Sequence, residues 1–164
     1  MREVICNTSP IQYLHQLGLL HVLERLAKHV TVPPAVVDEI AAGRALGVDL
    51  PDLSGLDWVT VRSPAAASVL PLVTDLGPGE TEVLTLALEV PGAVAILDDG
   101  LARQSAKITG VPVIGTLGLL LGAKRSGLVE ALEPLLDHLD ALGFRVSAST
   151  RAAVLDLAGE RPGT

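Results

Sequence analysis

The stretch AVAILDDGLARQSAKITGVPVIG, residues 93–115, decides the fold because its pattern is typical of a strand–helix–strand unit. Its first part is an apolar run that predicts a buried strand and ends in two carboxylates, Asp98 and Asp99. Residues 100–110 have a helical pattern, and VPVIG at 111–115 predicts a second strand. Strands that are joined through a helix pair in parallel, so this unit favours an α/β fold.

The same alternation continues on both sides of this unit. Three more strands are predicted at 3–6, 29–33 and 58–61, which makes about five in all. Helices are predicted over 9–27 with a break near Gly18, over 34–46 and 76–90, and over three later stretches, TLGLLLGAKRSG, LVEALEPLLDHLDALG and STRAAVLDLAGE. The fold class that follows is α/β, a three-layer α/β/α sandwich with a central parallel sheet of about five strands.

The composition indicates one domain with an aliphatic core. The chain has 164 residues, of which 49% are apolar and only 2% are aromatic. We expect a single domain over residues 1–160 and a disordered tail over 161–164. With 12 basic and 19 acidic side chains the net charge is −7, which gives no general attraction to nucleic acid or to an anionic membrane.

The cysteine count and the hydrophobic pattern favour the cytoplasm. Cys6 is the only cysteine, which excludes an internal disulfide framework and fits a reducing compartment. The start MREVIC lacks the hydrophobic stretch of a signal peptide. No run reaches the roughly 18 apolar residues that a membrane span needs. We therefore expect a cytoplasmic protein.

Polar residues at the carboxyl ends of the predicted strands form the candidate site, because ligands of parallel sheets bind beyond those ends. They are Asn7, Thr8 and Ser9 after the first strand, Glu39 in the helix after the second, Glu80 at the start of the helix after the third, Asp98 and Asp99 after the fourth, and Thr116 after the fifth. Each acid alone has an ordinary structural role as a helix cap or a partner of the helix dipole. Together they favour a hard cation such as Mg²⁺ or Mn²⁺, and we expect at least three carboxylates to converge.

Other classes of site lack their motifs. The first strand is followed by CNTSPI rather than by G-x-G-x-x-G, and neither a P-loop nor a nucleophile elbow is present. Cys6 continues an apolar strand and is interpreted as a core residue rather than as a nucleophile. None of the four histidines is spaced to join the acids, which argues against zinc.

Five pieces of the sequence occur together and in a fixed order: VICNTSPIQYLHQLG, VTVPPAVVDEI, LGPGETEVLTLALE, AILDDGLARQSAKITGVPVIGTLGLLLGAKRSGLV and a late AGE. With them the chain resembles the PIN-domain family over about residues 3–160, and more narrowly the PIN-like subfamily of unknown function that is related to VapC-type toxins. The resemblance implies metal-dependent hydrolysis of RNA phosphodiester bonds with Mg²⁺ or Mn²⁺. It also implies a toxin of a toxin–antitoxin pair, a homodimer that binds a small antitoxin protein.

By position, the resemblance gives catalytic and metal-binding roles to Asn7, Glu39, Glu80, Asp98 and Asp99, with Asp99 preferred over Asp98. Four further residues are candidates for orienting water, phosphate or substrate: Thr8, Ser9, Arg103 and Thr116. Asn7 stands where the general family pattern has Asp. An amide oxygen binds a hard cation but brings no charge, so we expect weaker metal binding and reduced activity.

Two other functions remain open from the sequence. The first is a PIN-fold protein that binds a partner but does not cut, which the neutral Asn7 and the net charge of −7 favour. The four remaining acids oppose it, since a site without activity does not need them. The second is a receiver-like signalling domain, but its acid pair should follow the first strand, where this chain has Asn7 and Thr8.

Overall fold

The computed structural model describes residues 2–65 and 75–160, and these contain five strands and eight α helices. The strands are β1 (Val4–Cys6), β2 (Val30–Val32), β3 (Val59–Val61), β4 (Val94–Ile96) and β5 (Val113–Ile114). The helices are α1 (Thr8–Gln16), α2 (Leu20–Ala27), α3 (Pro34–Ala45), α4 (Pro78–Glu89), α5 (Gly100–Thr109), α6 (Thr116–Arg125), α7 (Glu133–Ala141) and α8 (Ala148–Leu157).

The five strands form one parallel sheet in the order β3-β2-β1-β4-β5. The chain builds outward from β1 in one direction and then returns to build outward in the other, so the order reverses between β1 and β4. This reversal is the place where ligands of such sheets bind. Cys6 pairs with Ile96, and Ile96 pairs with Ile114, so the residues after three strands come out side by side.

Helices pack against the sheet in two groups. Helix α2 contacts α1 and α6, whereas α4 contacts α3 and α5. The central strands are almost wholly buried, because both of their faces are covered by helices. This arrangement confirms the predicted α/β class and its five-stranded parallel sheet.

Most element boundaries follow the sequence pattern. The predicted break near Gly18 is present, with a φ of +74° that separates α1 from α2. The helix predicted over 128–143 starts only at Glu133, since Pro134 has no backbone N–H and fits best in a first helical turn. The predicted tail over 161–164 lies outside the described residues.

The core is aliphatic, as the composition predicts, and Cys6 belongs to it. This thiol is fully buried. Burial raises the pKa of the Cys6 thiol far above its ordinary value, and the negative charge of Asp98 adds to the rise. The thiol is therefore not a nucleophile at neutral pH. Within the described ranges, no helix is both long and apolar enough to span a membrane.

Candidate functional site

Asn7 lies at the centre of the carboxyl edge, directly after β1. Its side chain is only 2% exposed, and its Nδ2 donates a hydrogen bond to Glu80 Oε1 at 3.2 Å. It precedes α1 but makes no side-chain capping bond. Its Oδ1 is buried and accepts no hydrogen bond from the described residues. An unsatisfied buried acceptor of this kind costs roughly 1–3 kcal/mol and requires an explanation.

Glu39 reaches the same edge from α3. Its Oε2 accepts a 2.5 Å hydrogen bond from the Thr8 hydroxyl, and its Oε1 accepts one from the Gly79 N–H at 3.1 Å. A Cβ at Gly79 would stand 2.8 Å from both Glu39 oxygens and 2.9 Å from Asn7 Oδ1. These three oxygens therefore face one another across a gap that exists only because residue 79 has no side chain.

Glu80 follows in the first turn of α4, which begins at Pro78. A carboxylate in a first turn is stabilised by the positive end of the helix dipole. Its Oε1 accepts the hydrogen bond from Asn7, and its Oε2 lies 2.6 Å from the point where a Cβ of Gly77 would be. The GPGE sequence thus supplies two glycines that leave room for two carboxylates, Glu39 and Glu80.

Asp98 is held by three donors at the end of β4. The N–H of Thr116 donates to its Oδ1 at 2.7 Å, and the hydroxyl of Thr116 donates to its Oδ2 at 2.6 Å. The Ser9 hydroxyl donates to Oδ2 at 3.2 Å. Thr116 is completely buried and Asp98 is half-buried. Thr116, Ser9 and, at Glu39, Thr8 thus orient carboxylates in this structure, whereas the sequence suggested that they orient water or phosphate.

Asp99, the residue that the sequence preferred over Asp98, has a different environment. It is exposed, and its Oδ2 accepts a hydrogen bond from the Ala102 N–H at 2.9 Å as the N-cap of α5. Arg103, one turn later, donates from Nη1 to the Leu97 carbonyl at 3.3 Å. A Cβ at Gly115 would be 2.6 Å from that Nη1 and 3.0 Å from Asp98 Oδ1, so Arg103 lies beside Asp98.

An open cavity of about 410 Å³ connects these residues. Its lining includes Asn7, Ser9, Glu80, Asp98 and Asp99, and on the opposite side Tyr13, Gly143, Phe144 and Arg145. Glu39 does not line it but lies behind Asn7 and Gly79. The structure therefore brings all five predicted ligand residues to one edge of the sheet. Four of them line the cavity, and Glu39 lies behind.

The described residues contain no group of three or more His, Cys, Asp or Glu side chains that forms a ready metal site. This differs from the expected convergence of three carboxylates, because the central position is an amide and Asp99 caps a helix. The oxygens at the edge nevertheless fit Mg²⁺. This ion is usually held by one or two carboxylates together with waters and substrate phosphates, rather than by a protein cage. The orphaned Oδ1 of Asn7 is an acceptor that such an ion would satisfy.

Three residues near the site were missed by the sequence reasoning. Gly79 opens the gap between Glu39 and Asn7, and its position in GPGE, next to an acid, was the available signal. Phe144 and Arg145 line the cavity from the loop between α7 and α8, far from any strand end. No local pattern could have placed that loop over Asp98.

Comparisons with known proteins agree with this architecture. A family model for a PIN domain, DUF3368, matches residues 3–160. The fold is similar to that of a PilT N-terminus domain protein from the hyperthermophilic archaeon Sulfolobus solfataricus P2, with a TM-score of 0.55 and 23% identity, covering 73% of this chain and 92% of that chain. No curated protein matches the chain.

Proposed function

The chain belongs to the PIN-domain family DUF3368, whose fold is that of a nuclease, and we propose that it is a metal-dependent endoribonuclease. The observation that carries the proposal is the orphaned Oδ1 of Asn7. It faces the carboxylate of Glu39 across Gly79, while Nδ2 of the same amide donates to Glu80, at the edge where ligands of parallel sheets bind. A fold with no use for a cation would gain stability by pairing or removing that oxygen.

The ligands of the cation would be Asn7 Oδ1 and Glu39, which face each other, together with Glu80 and Asp98 from the cavity and Asp99 at the rim. Mg²⁺ and Mn²⁺ are the ions that suit such an all-oxygen set. When bound, a cation of this kind lowers the pKa of a coordinated water and stabilises the charge of a phosphate. The amide of Asn7 makes this binding weaker than a carboxylate at the same position would.

The other residues of the site hold the carboxylates in position and offset part of their negative charge. Thr116 and Ser9 fix both oxygens of Asp98, and Thr8 with the Gly79 N–H fixes Glu39. Held in this way, the carboxylates lose little conformational freedom when a ligand binds. Arg103, beside Asp98, supplies a positive charge next to the acids, where the phosphate of an RNA strand would otherwise be repelled.

A second function is a PIN-fold protein that binds without cutting. It is favoured by one observation, the hydrogen bond from Asn7 Nδ2 to Glu80 Oε1. The bond occupies Glu80 Oε1, an oxygen that a metal-binding carboxylate would keep available for the cation. If this reading holds, the edge is a fully formed structural element and divalent cations leave the thermal stability of the protein unchanged.

The biological role within this proposal is that of a cytoplasmic toxin that dimerises and is inhibited by a small antitoxin protein. Support comes from apolar side chains on the surface: Leu46 is 85% exposed and Ile108 is 78% exposed. A dimer interface would have to join such side chains into one contiguous apolar patch that the partner covers. Light scattering at micromolar concentration tests the dimer, and a mass near that of one 17.0 kDa chain contradicts it.

The enzymatic proposal is tested by incubating a labelled single-stranded RNA with the protein in Mn²⁺ and in EDTA. We expect internal cleavage in Mn²⁺ only, and none with Glu80→Gln. Glu130→Gln, which changes an exposed acid away from the edge, is the matched control and should cleave like the wild type. Cleavage that persists in EDTA or in Glu80→Gln would assign the activity to a contaminant. Absence of cleavage in all samples would favour the binding function.

A further inference from the structure

The loop after α7 brings Phe144 into contact with Tyr13, and these are two of the three aromatic residues of the chain. Gly143, with a φ of +92°, ends α7, and the Phe144 N–H returns to the Leu139 carbonyl at 2.9 Å. This fixes Phe144 against Tyr13, with ring centroids 4.9 Å apart and planes at 81°. The chain has one Phe, one Tyr and one Trp, so this pair is a concentration of aromatic surface in a molecule that has almost none.

Arg145 follows Phe144 and is exposed. Both residues line the 410 Å³ cavity that contains Asn7, Glu80 and Asp98. They also line a second cavity of about 510 Å³, which contains Asp98 and Arg103. Phe144 and Arg145 therefore form the boundary between the acidic edge and the next depression of the surface.

A third cavity of about 430 Å³ continues from there along β5 and α5, and Arg103 and Lys107 line it. The three adjoining cavities thus connect the acids to a basic strip, defined as Arg145, Arg103 and Lys107. None of the three forms an ion pair with a carboxylate in the described part of the chain. Four other basic residues do: Arg44, Arg62, Lys124 and Arg151.

Arg145, Arg103 and Lys107 line adjoining cavities, and this local positive charge contrasts with the net charge of −7. Counterion release on binding a polyanion is a local effect of the cations that touch it, so a strip suffices where the whole molecule is repelled. Aromatic side chains beside such a strip are typical of surfaces that bind single-stranded nucleic acid, because bases stack on them in any sequence.

We propose that the basic strip and Phe144 bind single-stranded RNA and lead it to the acidic edge. One base stacks on Phe144, and successive phosphates contact Arg145, Arg103 and Lys107. This inference rests on the proposed nuclease function, since it assigns the path of that substrate on the surface. An acidic peptide would also be attracted by the three cations, but it has no base to stack on Phe144.

The test measures binding separately from cleavage. Fluorescence anisotropy of a labelled 10-nucleotide single-stranded RNA is recorded in EDTA, where no cleavage is expected. Arg145→Gln and Arg103→Gln should each weaken binding about tenfold and reduce the slope of log K against log salt by about one. Phe144→Leu should weaken binding about five- to tenfold and leave the salt slope unchanged, because stacking carries no charge.

Arg25→Gln is the matched control, an exposed arginine on α2 that lies outside all three cavities. If the strip variants bind like Arg25→Gln, the inference is wrong, whether or not the protein cleaves RNA. If they lose binding while no RNA is cleaved in Mn²⁺, the strip stands and the nuclease proposal fails. Equal competition by poly-glutamate, together with no effect of Phe144→Leu, would overturn the inference in favour of an acidic protein partner.

Arg145→Gln should leave the fold intact, because Arg145 is exposed. In the cleavage assay, it should raise KM and leave kcat nearly unchanged. A residue of purely structural importance would instead lower the thermal midpoint. Circular dichroism of each variant provides that comparison.

Discussion

Two regions of the molecule hold glutamates with backbone N–H groups, but only one of them gives every side-chain oxygen a hydrogen-bond partner. At the far end, Glu160 Oε2 accepts hydrogen bonds from the Leu132 N–H at 2.7 Å and from Lys124 Nζ at 3.2 Å. Its Oε1 accepts one from the Glu133 N–H at 3.2 Å. This Glu160 clamp holds the start of α7 to the end of α6, and each of its oxygens has a partner within the protein.

These partners lower the pKa of Glu160. Burial raises it, but the N–H groups of Leu132 and Glu133 and the ammonium of Lys124 outweigh the burial and hold the pKa below its ordinary value. The acidic edge differs because its donors satisfy Glu39 and Asp98 but leave Asn7 Oδ1 with none. A carboxylate whose partners are all supplied by the fold stabilises the fold, whereas an incomplete set of oxygens is suited to a ligand.

After the loss of cleavage expected of Glu80→Gln, the largest effect we expect is from Asp98→Asn. It keeps the size of the side chain and removes one of the charges that would face a cation. The rate of RNA cleavage in Mn²⁺ should fall about 100-fold, which is close to 2.7 kcal/mol of activation free energy. Steady-state cleavage of the labelled RNA measures it. A rate within twofold of the wild type would show that the edge is structural, like the Glu160 clamp.

The next largest effect is expected from Asn7→Asp, which tests whether a cation binds at the acidic edge. A negative charge at this position would face Glu39 and Glu80, so in EDTA the free energy of unfolding should fall. In Mn²⁺ the same charge should raise metal affinity about tenfold, or 1.4 kcal/mol. Thermal midpoints in the two buffers should therefore shift in opposite directions. Equal shifts in EDTA and Mn²⁺ would mean that no cation binds beside residue 7.

Glu160→Gln should act on stability alone. It removes the charge from a cap that serves two N–H groups, and we expect a loss of about 1 kcal/mol in the free energy of unfolding at neutral pH. Because the folded-state pKa lies below the ordinary 4.5, the stabilisation is complete above that pH and is lost as the pH falls below it. Urea titrations at neutral and acidic pH should show the difference between the proteins shrinking with acidification.

RNA cleavage by Glu160→Gln should equal that of the wild type at a temperature where both are folded. A loss of activity without a loss of stability would contradict the division between the two regions. Arg151→Gln is a suitable control, since it breaks an exposed ion pair with Asp137 and should change stability by less.

The sequence predicted the acidic edge far better than it predicted the Glu160 clamp, for a physical reason. Each residue of the edge except Glu39, which lies within α3, follows a strand or opens a helix, and parallel strands bring their ends together whatever the loops do. Glu160 and Lys124 are 36 positions apart, and nothing in their own sequence surroundings indicates that they meet. The loop with Phe144 and Arg145 could not be placed for the same reason.

Within the edge, the position after the strand could not separate the two adjacent aspartates, and the preference for Asp99 stays a prediction. Position after the strand made Asp98 and Asp99 equivalent, and only the distances to Thr116 and Ala102 separate them. Gly79 shows the same limit, since its importance lies in the oxygens around it rather than in its backbone angles. Such features depend on side-chain directions that a residue pattern does not contain.

The smallest effect should come from Asp99→Asn, which separates the two aspartates directly. Asn caps a helix about as well as Asp, so the bond from the Ala102 N–H is kept and stability should change by less than about 0.5 kcal/mol. The change removes one charge from the rim of the cavity, where Asp99 is exposed and solvent screens it. Cleavage should therefore fall less than tenfold, well short of Asp98→Asn. If the two variants lose activity equally, Asp99 contacts the cation as closely as Asp98 does, and its role as a helix cap is the lesser one.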